Sequence, residues 1–302
     1  MATAQFGRVI TAMITPFTED GAVDYESAVA LAQLLVALGS VCLLVGGTTG
    51  EGATMTAEEK LKLYTLIVDA VGKRGEGKKV PVMGNIGTIS TADTIAFGNK
   101  AKETGIDCAL VIVPFYVKPN QEGMYQHFKA VAKGVDLPLV LYNVPGRTGV
   151  SIQPETIKRI VDECPNVVGI KDATGNWDQV TKEKALIPED FMIYTGDDAF
   201  TLPVLLAGGV GIISVSAHVI GDDMLAMVDA FEKGDLAKAR ELHLKMYEIN
   251  KGMFFTASPT PVKTATNLVG QPGGHFRLPM VEPTEAEKAK VRQMLENYGG
   301  LL

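Results

Sequence analysis

Eight short runs rich in valine, isoleucine and leucine punctuate the chain, and longer amphipathic segments separate them. They are VITAMITPF, SVCLLVGG, VPVMGNIG, CALVIVPFY, LPLVLYNVP, NVVGIKDA, FMIYTGDD and VGIISVSA. Near-continuous apolar runs suit strands covered on both faces, as parallel strands beneath helices are. Alternation of strand and helix makes a parallel sheet with right-handed crossovers, either open and doubly wound or closed. A count of eight favours closure, so the expected fold is α/β, a (β/α)8 TIM barrel. A chain of 302 residues with 46% hydrophobic content can bury that much core and carry an addition as well.

The segments between the runs begin as helices should. Thr56 precedes AEEKLKLYTLIVDAVG with Glu59 at the reciprocal capping position, and Leu61, Tyr64 and Val68 fall on one face. Ser90 with Asp93 makes an approximate capping box, and Gly105 ends that segment. Pro154 stands early in QPETIKRIVDEC, where its missing N–H costs nothing. After the eighth run no strand signal remains. We therefore expect residues 1–233 to form the barrel and 234–302 a C-terminal helical extension, with one of its helices starting near Pro261.

Composition excludes several functions. The net charge of −7 is spread without long blocks of one sign, so nothing attracts nucleic acid or an anionic membrane. The N-terminal segment lacks the basic start and apolar run of a secretory signal, and the expected location is the cytoplasm. Cys42, Cys108 and Cys164 show no CxxC spacing, and the four histidines form no HxxxH or HExxH pair, so neither a disulfide framework nor a metal is expected.

Barrels of this kind place their active sites at the C-terminal ends of the strands. Those ends carry GGTTGEG, PFY, YNVPGRTG, KDATG and TGDD. The glycines of GGTTGEG can turn backbone N–H groups outward beside the hydroxyls of Thr48 and Thr49, a nest for a small carboxylate, though a plain strand-to-helix turn reads the same way. In VVGIKDATG a lysine closes an apolar strand. Either Lys171 reaches water or pairs with Asp172, or its amine sits in a partly dry pocket that lowers its pKa. Tyr142 reads either as a core tyrosine with its hydroxyl satisfied locally or as a phenol that relays protons, and Arg147 either as a solvated turn residue or as a fork suited to a carboxylate. Gly169, on the face of Lys171, would leave room beneath the amine.

GTTGE, YNVPGRTG and GIKDATG resemble, in order and spacing, the class I aldolase family of pyruvate-dependent lyases, with KPNQEGMYQHF, YTGDD and GVGIISV in support. The resemblance spans nearly the whole chain. It implies a cofactor-independent lyase in which Lys171 forms a Schiff base with pyruvate and the resulting enamine adds to aspartate semialdehyde. The product would be 4-hydroxy-tetrahydrodipicolinate, on the route to diaminopimelate and lysine. By the same resemblance Tyr142 shuttles protons through Thr48 to Tyr116, which comes from a neighbouring subunit. Thr49 would hold the pyruvate carboxylate and Arg147 that of the semialdehyde, while Gly196 and Ile213 line the site through their backbones. A homo-oligomer is implied, a tetramer built from tight dimers. Sialic acid lyases share the lysine and tyrosine but resemble GSTGE in the first loop. The same chemistry on another aldehyde, or a barrel that has lost catalysis, are the competing readings. Members inhibited by lysine commonly differ from this chain at Gly52, Ala57, Lys60, Ile89 and Phe115, so inhibition by lysine is expected to be weak or absent.

Overall fold

The computed structural model describes residues 4–72 and 80–302. Eight parallel strands close in sequence order: β1 (Val9–Ala12), β2 (Cys42–Val45), β3 (Val82–Asn85), β4 (Cys108–Ile112), β5 (Leu139–Asn143), β6 (Val167–Asp172), β7 (Met192–Thr195) and β8 (Gly211–Ser214). Each lies within one of the eight apolar runs. The strands are shorter than the runs because each run continues past the strand end into the loop above it. Closure comes from β8 pairing with β1, where Ile10 meets Ile213.

Alternation along each strand divides the apolar side chains between two cores. Ile10, Cys42, Leu44, Leu110, Val140, Met192 and Tyr194 point inward and fill the barrel. Val9, Leu43, Val111, Leu141 and Ile193 point outward and pack under the helices. The interior is therefore packed and not a pore. Burial raises the thiol pKa of Cys42 and of Cys108 above the usual range, which keeps both as inert apolar filling.

The helix Ala57–Ile67 starts from a complete capping box between Thr56 and Glu59. Its buried face is Leu63, Tyr64 and Ile67, continued by Val68, while Leu61 is only half-buried, so the apolar stripe is rotated from the expected one. Ser90 accepts from the Asp93 N–H, but only this half of a capping box forms. Pro154 occupies the first turn of the helix Pro154–Glu163. The connection after β7 is the exception to long helices, a short helical turn followed by Thr201–Leu206.

Beyond β8 the chain is helical: Ala217–Glu232, Leu236–Gly252, Thr260–Leu268 and Glu285–Tyr298. Gly234, at φ +79°, makes the turn between the first two of these. None of the described helices is long and apolar enough to cross a membrane.

Candidate active site

Lys171 is the fifth residue of β6, in register with Tyr142 of β5 on one side and Tyr194 of β7 on the other. Both tyrosines belong to the inner core, so the lysine points into the barrel mouth. It is 5% exposed. Asp172 points the other way and is held by Thr174 and Gln179, so the two neighbours do not pair. Loss of hydration lowers the Lys171 pKa to about 8, with Asp198 opposing and Arg147 assisting the shift.

A cavity of about 400 Å³ opens over the amine, lined by Thr48, Thr49, Tyr142, Arg147 and Gly196 among others. A larger one, about 490 Å³, lies in the extension between Lys245 and Lys290 and contains no strand-end residue. The chemistry decides between them, since of the two only the smaller contains an amine whose pKa burial lowers.

Tyr142 is buried beside Lys171, whose Nζ lies 4.6 Å from the centre of its ring. Burial raises the phenol pKa, while Arg147 and a hydrogen bond with the Thr48 side chain pull it back. Thr48 and Thr49 ride on the loop after β2. Within that loop the Glu51 N–H donates to the Thr48 carbonyl and that of Gly52 to the Gly47 carbonyl. The N–H groups of Thr48, Thr49 and Gly50 make no such bond among the described residues. Thr48 and Thr49, both lining the cavity, thus offer backbone donors beside their two hydroxyls, the makings of a cradle for a carboxylate.

Gly196, the residue after β7, supplies the space for the amine. A Cβ there would stand 2.8 Å from Cε of Lys171 and 2.7 Å from Cβ of Ala173. Gly169, expected to make that room, serves a different contact. A Cβ on it would lie 2.7 Å from the Met192 carbonyl oxygen, so its bare backbone lets β6 and β7 approach. Arg147 is exposed at the rim on the short helix Pro145–Thr148, and its guanidinium forms no salt bridge or hydrogen bond with described residues.

Two expected site residues stand apart from the cavity lining. Tyr116 is 86% exposed and holds a left-handed backbone at φ +65°, unusual for a bulky residue. Ile213 lies fully buried in the inner core, and Val215, two residues on, reaches the cavity instead.

The Dihydrodipicolinate synthetase family model matches residues 5–298. The chain belongs to that family. A 4-hydroxy-tetrahydrodipicolinate synthase of Heliobacterium modesticaldum is 47% identical over 98% of this chain and 96% of its own length. The Bacillus subtilis enzyme of that name is 46% identical over 94% and 96%. Among solved structures, the dihydrodipicolinate synthase of Cyanidioschyzon merolae with lysine bound superposes with TM-score 0.94 at 40% identity, covering 98% of this chain and 99% of that one. The family carries its chemistry on a lysine Schiff base and not on an external cofactor.

The family motifs do not mark every residue that shapes the site. Asp198 is fully buried, accepts from the Val215 and Ser216 N–H groups and the Ser214 hydroxyl, and has its pKa pushed up to about 6 by burial. It ties the loop after β7 to the end of β8 and is the charge that most opposes discharge of Lys171. Behind β6, Gln179 donates to both Asp172 and Glu183, at 3.3 and 3.1 Å. Burial, with the Asp172 charge second, holds the Glu183 carboxyl well above the usual range. Among the described residues, no group of three or more His, Cys, Asp or Glu could hold a metal ion.

Proposed function

We propose that this chain condenses pyruvate with L-aspartate 4-semialdehyde to 4-hydroxy-tetrahydrodipicolinate through a Schiff base on Lys171. The observation that carries the reading is the buried, easily discharged lysine beside a phenol and beneath a carboxylate cradle. Residues 1–233 act as the catalytic barrel and 234–302 as its extension, although residues 1–3 and 73–79 lie outside the described set.

The neutral amine attacks the keto carbon of pyruvate, whose carboxylate takes the free N–H groups of the Thr48 loop and the Thr49 hydroxyl. Tyr142 gives a proton to the departing hydroxyl, which leaves as water, and the carbon–nitrogen double bond forms. The protonated imine draws electrons from the methyl group, which gives a proton to the Tyr142 phenolate left by the previous step and becomes an enamine carbon. That carbon attacks the aldehyde of the semialdehyde, with Tyr142 returning a proton to the new alkoxide. The amine of the semialdehyde then displaces Lys171 and closes the ring. Arg147 receives the second carboxylate at the rim, where its planar fork suits a short acid better than a polyhydroxylated aldehyde.

Proton traffic from Tyr142 continues through Thr48 to Tyr116 of a second copy. The exposure and strained backbone of Tyr116 support that role, since such strain persists where it serves a function. The working form is then a homo-oligomer of tight dimers, two of which make the tetramer. Coupled assays with pyruvate and a panel of aldehydes test the reading. Aspartate semialdehyde should exceed keto-sugar-acid precursors and N-acetylmannosamine in kcat/KM, and preference for a polyhydroxylated aldehyde would reject it.

A further inference from the structure

The loop that carries Thr48 and Thr49 is fastened from a distant part of the chain. Lys263, on the helix Thr260–Leu268 of the extension, is fully buried. Its Nζ donates to Glu51 Oε1 at 2.6 Å, to the Thr15 carbonyl at 2.8 Å and to the His275 carbonyl at 2.7 Å. All three N–H bonds are therefore satisfied. The rings of Phe17 and Phe276 stand 4.7 and 4.9 Å from the same nitrogen. The other Glu51 oxygen accepts from the Arg277 N–H at 3.3 Å, so the extension holds both ends of one carboxylate.

Glu51 occupies a left-handed backbone conformation at φ +52°, where a side chain is strained. Such a conformation persists only where its surroundings over-determine it. Its N–H donates to the Thr48 carbonyl and closes the turn that carries Thr48 and Thr49 at the cavity. Thr15 completes the frame: its hydroxyl donates to the Gly50 carbonyl while its own carbonyl accepts from Lys263. One ammonium thus fixes the turn through Glu51 and through Thr15.

We infer that Lys263 is a positioning residue for pyruvate, acting through Glu51 to hold the Thr48–Thr49 cradle in its carboxylate-binding shape. A buried ion pair is a poor device for stability alone, because removing two charges from water offsets most of their attraction. Its value lies in specifying one arrangement of a loop that would otherwise relax away from the left-handed turn. This assignment rests on the pyruvate-binding reading above and deepens it. The extension is then a working part of the active site, although neither Lys263 nor Glu51, Thr15 and His275, which it holds, lines the cavity over Lys171.

The test is the double variant Lys263→Met/Glu51→Met, which removes both charges and keeps the side-chain volumes close. Pyruvate binding is measured by calorimetry without aldehyde, and KM and kcat are measured for both substrates. The dissociation constant and KM for pyruvate should rise on the order of tenfold. KM for aspartate semialdehyde should move less than about twofold, because Arg147 lies on a different loop. A merely structural role would instead lower the active fraction and so kcat, with both KM values unchanged. That outcome, or pyruvate binding within about twofold of the parent, overturns the assignment. Should the double variant fail to fold, Glu51→Gln is read by the same split, with a rise in pyruvate KM of about threefold or more expected. The parent enzyme separates the two levels of argument. If it binds no pyruvate, both fall; if it binds and the variants bind equally, only the role of Lys263 falls.

Discussion

Lys171 and Tyr142 are direct partners across the β5–β6 pairing, and the amine lies 4.6 Å from the phenol ring centre. Parallel pairing fixes the two side chains on one face, so their approach is set by strand register and not by loop conformation. The proposed nucleophile and its proposed proton relay are thereby both held on strands and not on loops.

Tyr142→Phe removes one hydroxyl from that pair and leaves the ring packing. Turnover should fall about 10²- to 10⁴-fold, the usual contribution of a positioned acid–base group. Thermal unfolding should stay close to the parent, because among the described residues the phenol bonds the Thr48 side chain and no backbone group. Steady-state kinetics with a melting curve checks both, and undiminished turnover would exclude Tyr142 as the relay.

The pH dependence follows from burial of Lys171, whose pKa is lowered from 10.5 to about 8. On the acid side kcat/KM for pyruvate should climb with pH as the amine discharges and level off above about 8. The linkage to stability has a definite sign. Below that value folded and unfolded chains both carry the proton, and the desolvation cost is present in full. Between about 8 and 10.5 the unfolded chain binds more protons, so this group's contribution to stability improves as pH rises. Lys171→Met should remove the cost and raise stability at pH 7 by up to about 3 kcal/mol, while abolishing activity. Denaturant titrations at two pH values measure the difference.

Gly196→Ala should injure catalysis more than folding. The added methyl would meet Cε of Lys171 at 2.8 Å and Cβ of Ala173 at 2.7 Å, and the lysine is the more movable of the two. Overpacking of this kind costs about 1 to 3 kcal/mol. A displaced amine should lower kcat/KM by about 10²-fold, since small misplacements of reacting groups have effects of that size. Kinetics unchanged in a folded variant would place the reactive amine elsewhere.

A third cavity, of about 380 Å³, shares Thr48 and Tyr142 with the one over Lys171 and is lined by Gly52, Lys60, Ile89 and Phe115 among others. The relative from Cyanidioschyzon merolae was crystallised with lysine bound. In this chain a Lys60 ammonium, 4.4 Å from the centre of the Phe97 ring, would repel a cationic ligand entering that cavity. Free lysine at submillimolar concentration should leave the initial rate unchanged. A dose-response curve with strong inhibition in that range would contradict this.

What the sequence made legible and what it hid differ in kind. The barrel could be read because eight apolar runs each carry their own local signal, and Lys171 stands out because a charge ends one of them. Tyr142, Thr48, Thr49, Arg147 and Gly196 converge on one cavity, as their places at strand ends suggest. Gly169 and Gly196 show the limit. Both are glycines near the lysine, but which of them yields space depends on the spacing of β6 and β7, and no local pattern reports that. Asp198 looks like a loop acid in YTGDD until β8 wraps its carboxylate in backbone donors. Lys263 reads as an ordinary helix lysine, and its partner Glu51 lies 212 residues away.

The most direct test of the account is borohydride reduction of the enzyme in the presence of pyruvate, followed by intact-mass measurement and peptide mapping. A single reduced pyruvyl adduct on the peptide containing Lys171, absent from Lys171→Ala, is the predicted result. No adduct, or one that persists in Lys171→Ala, would contradict it.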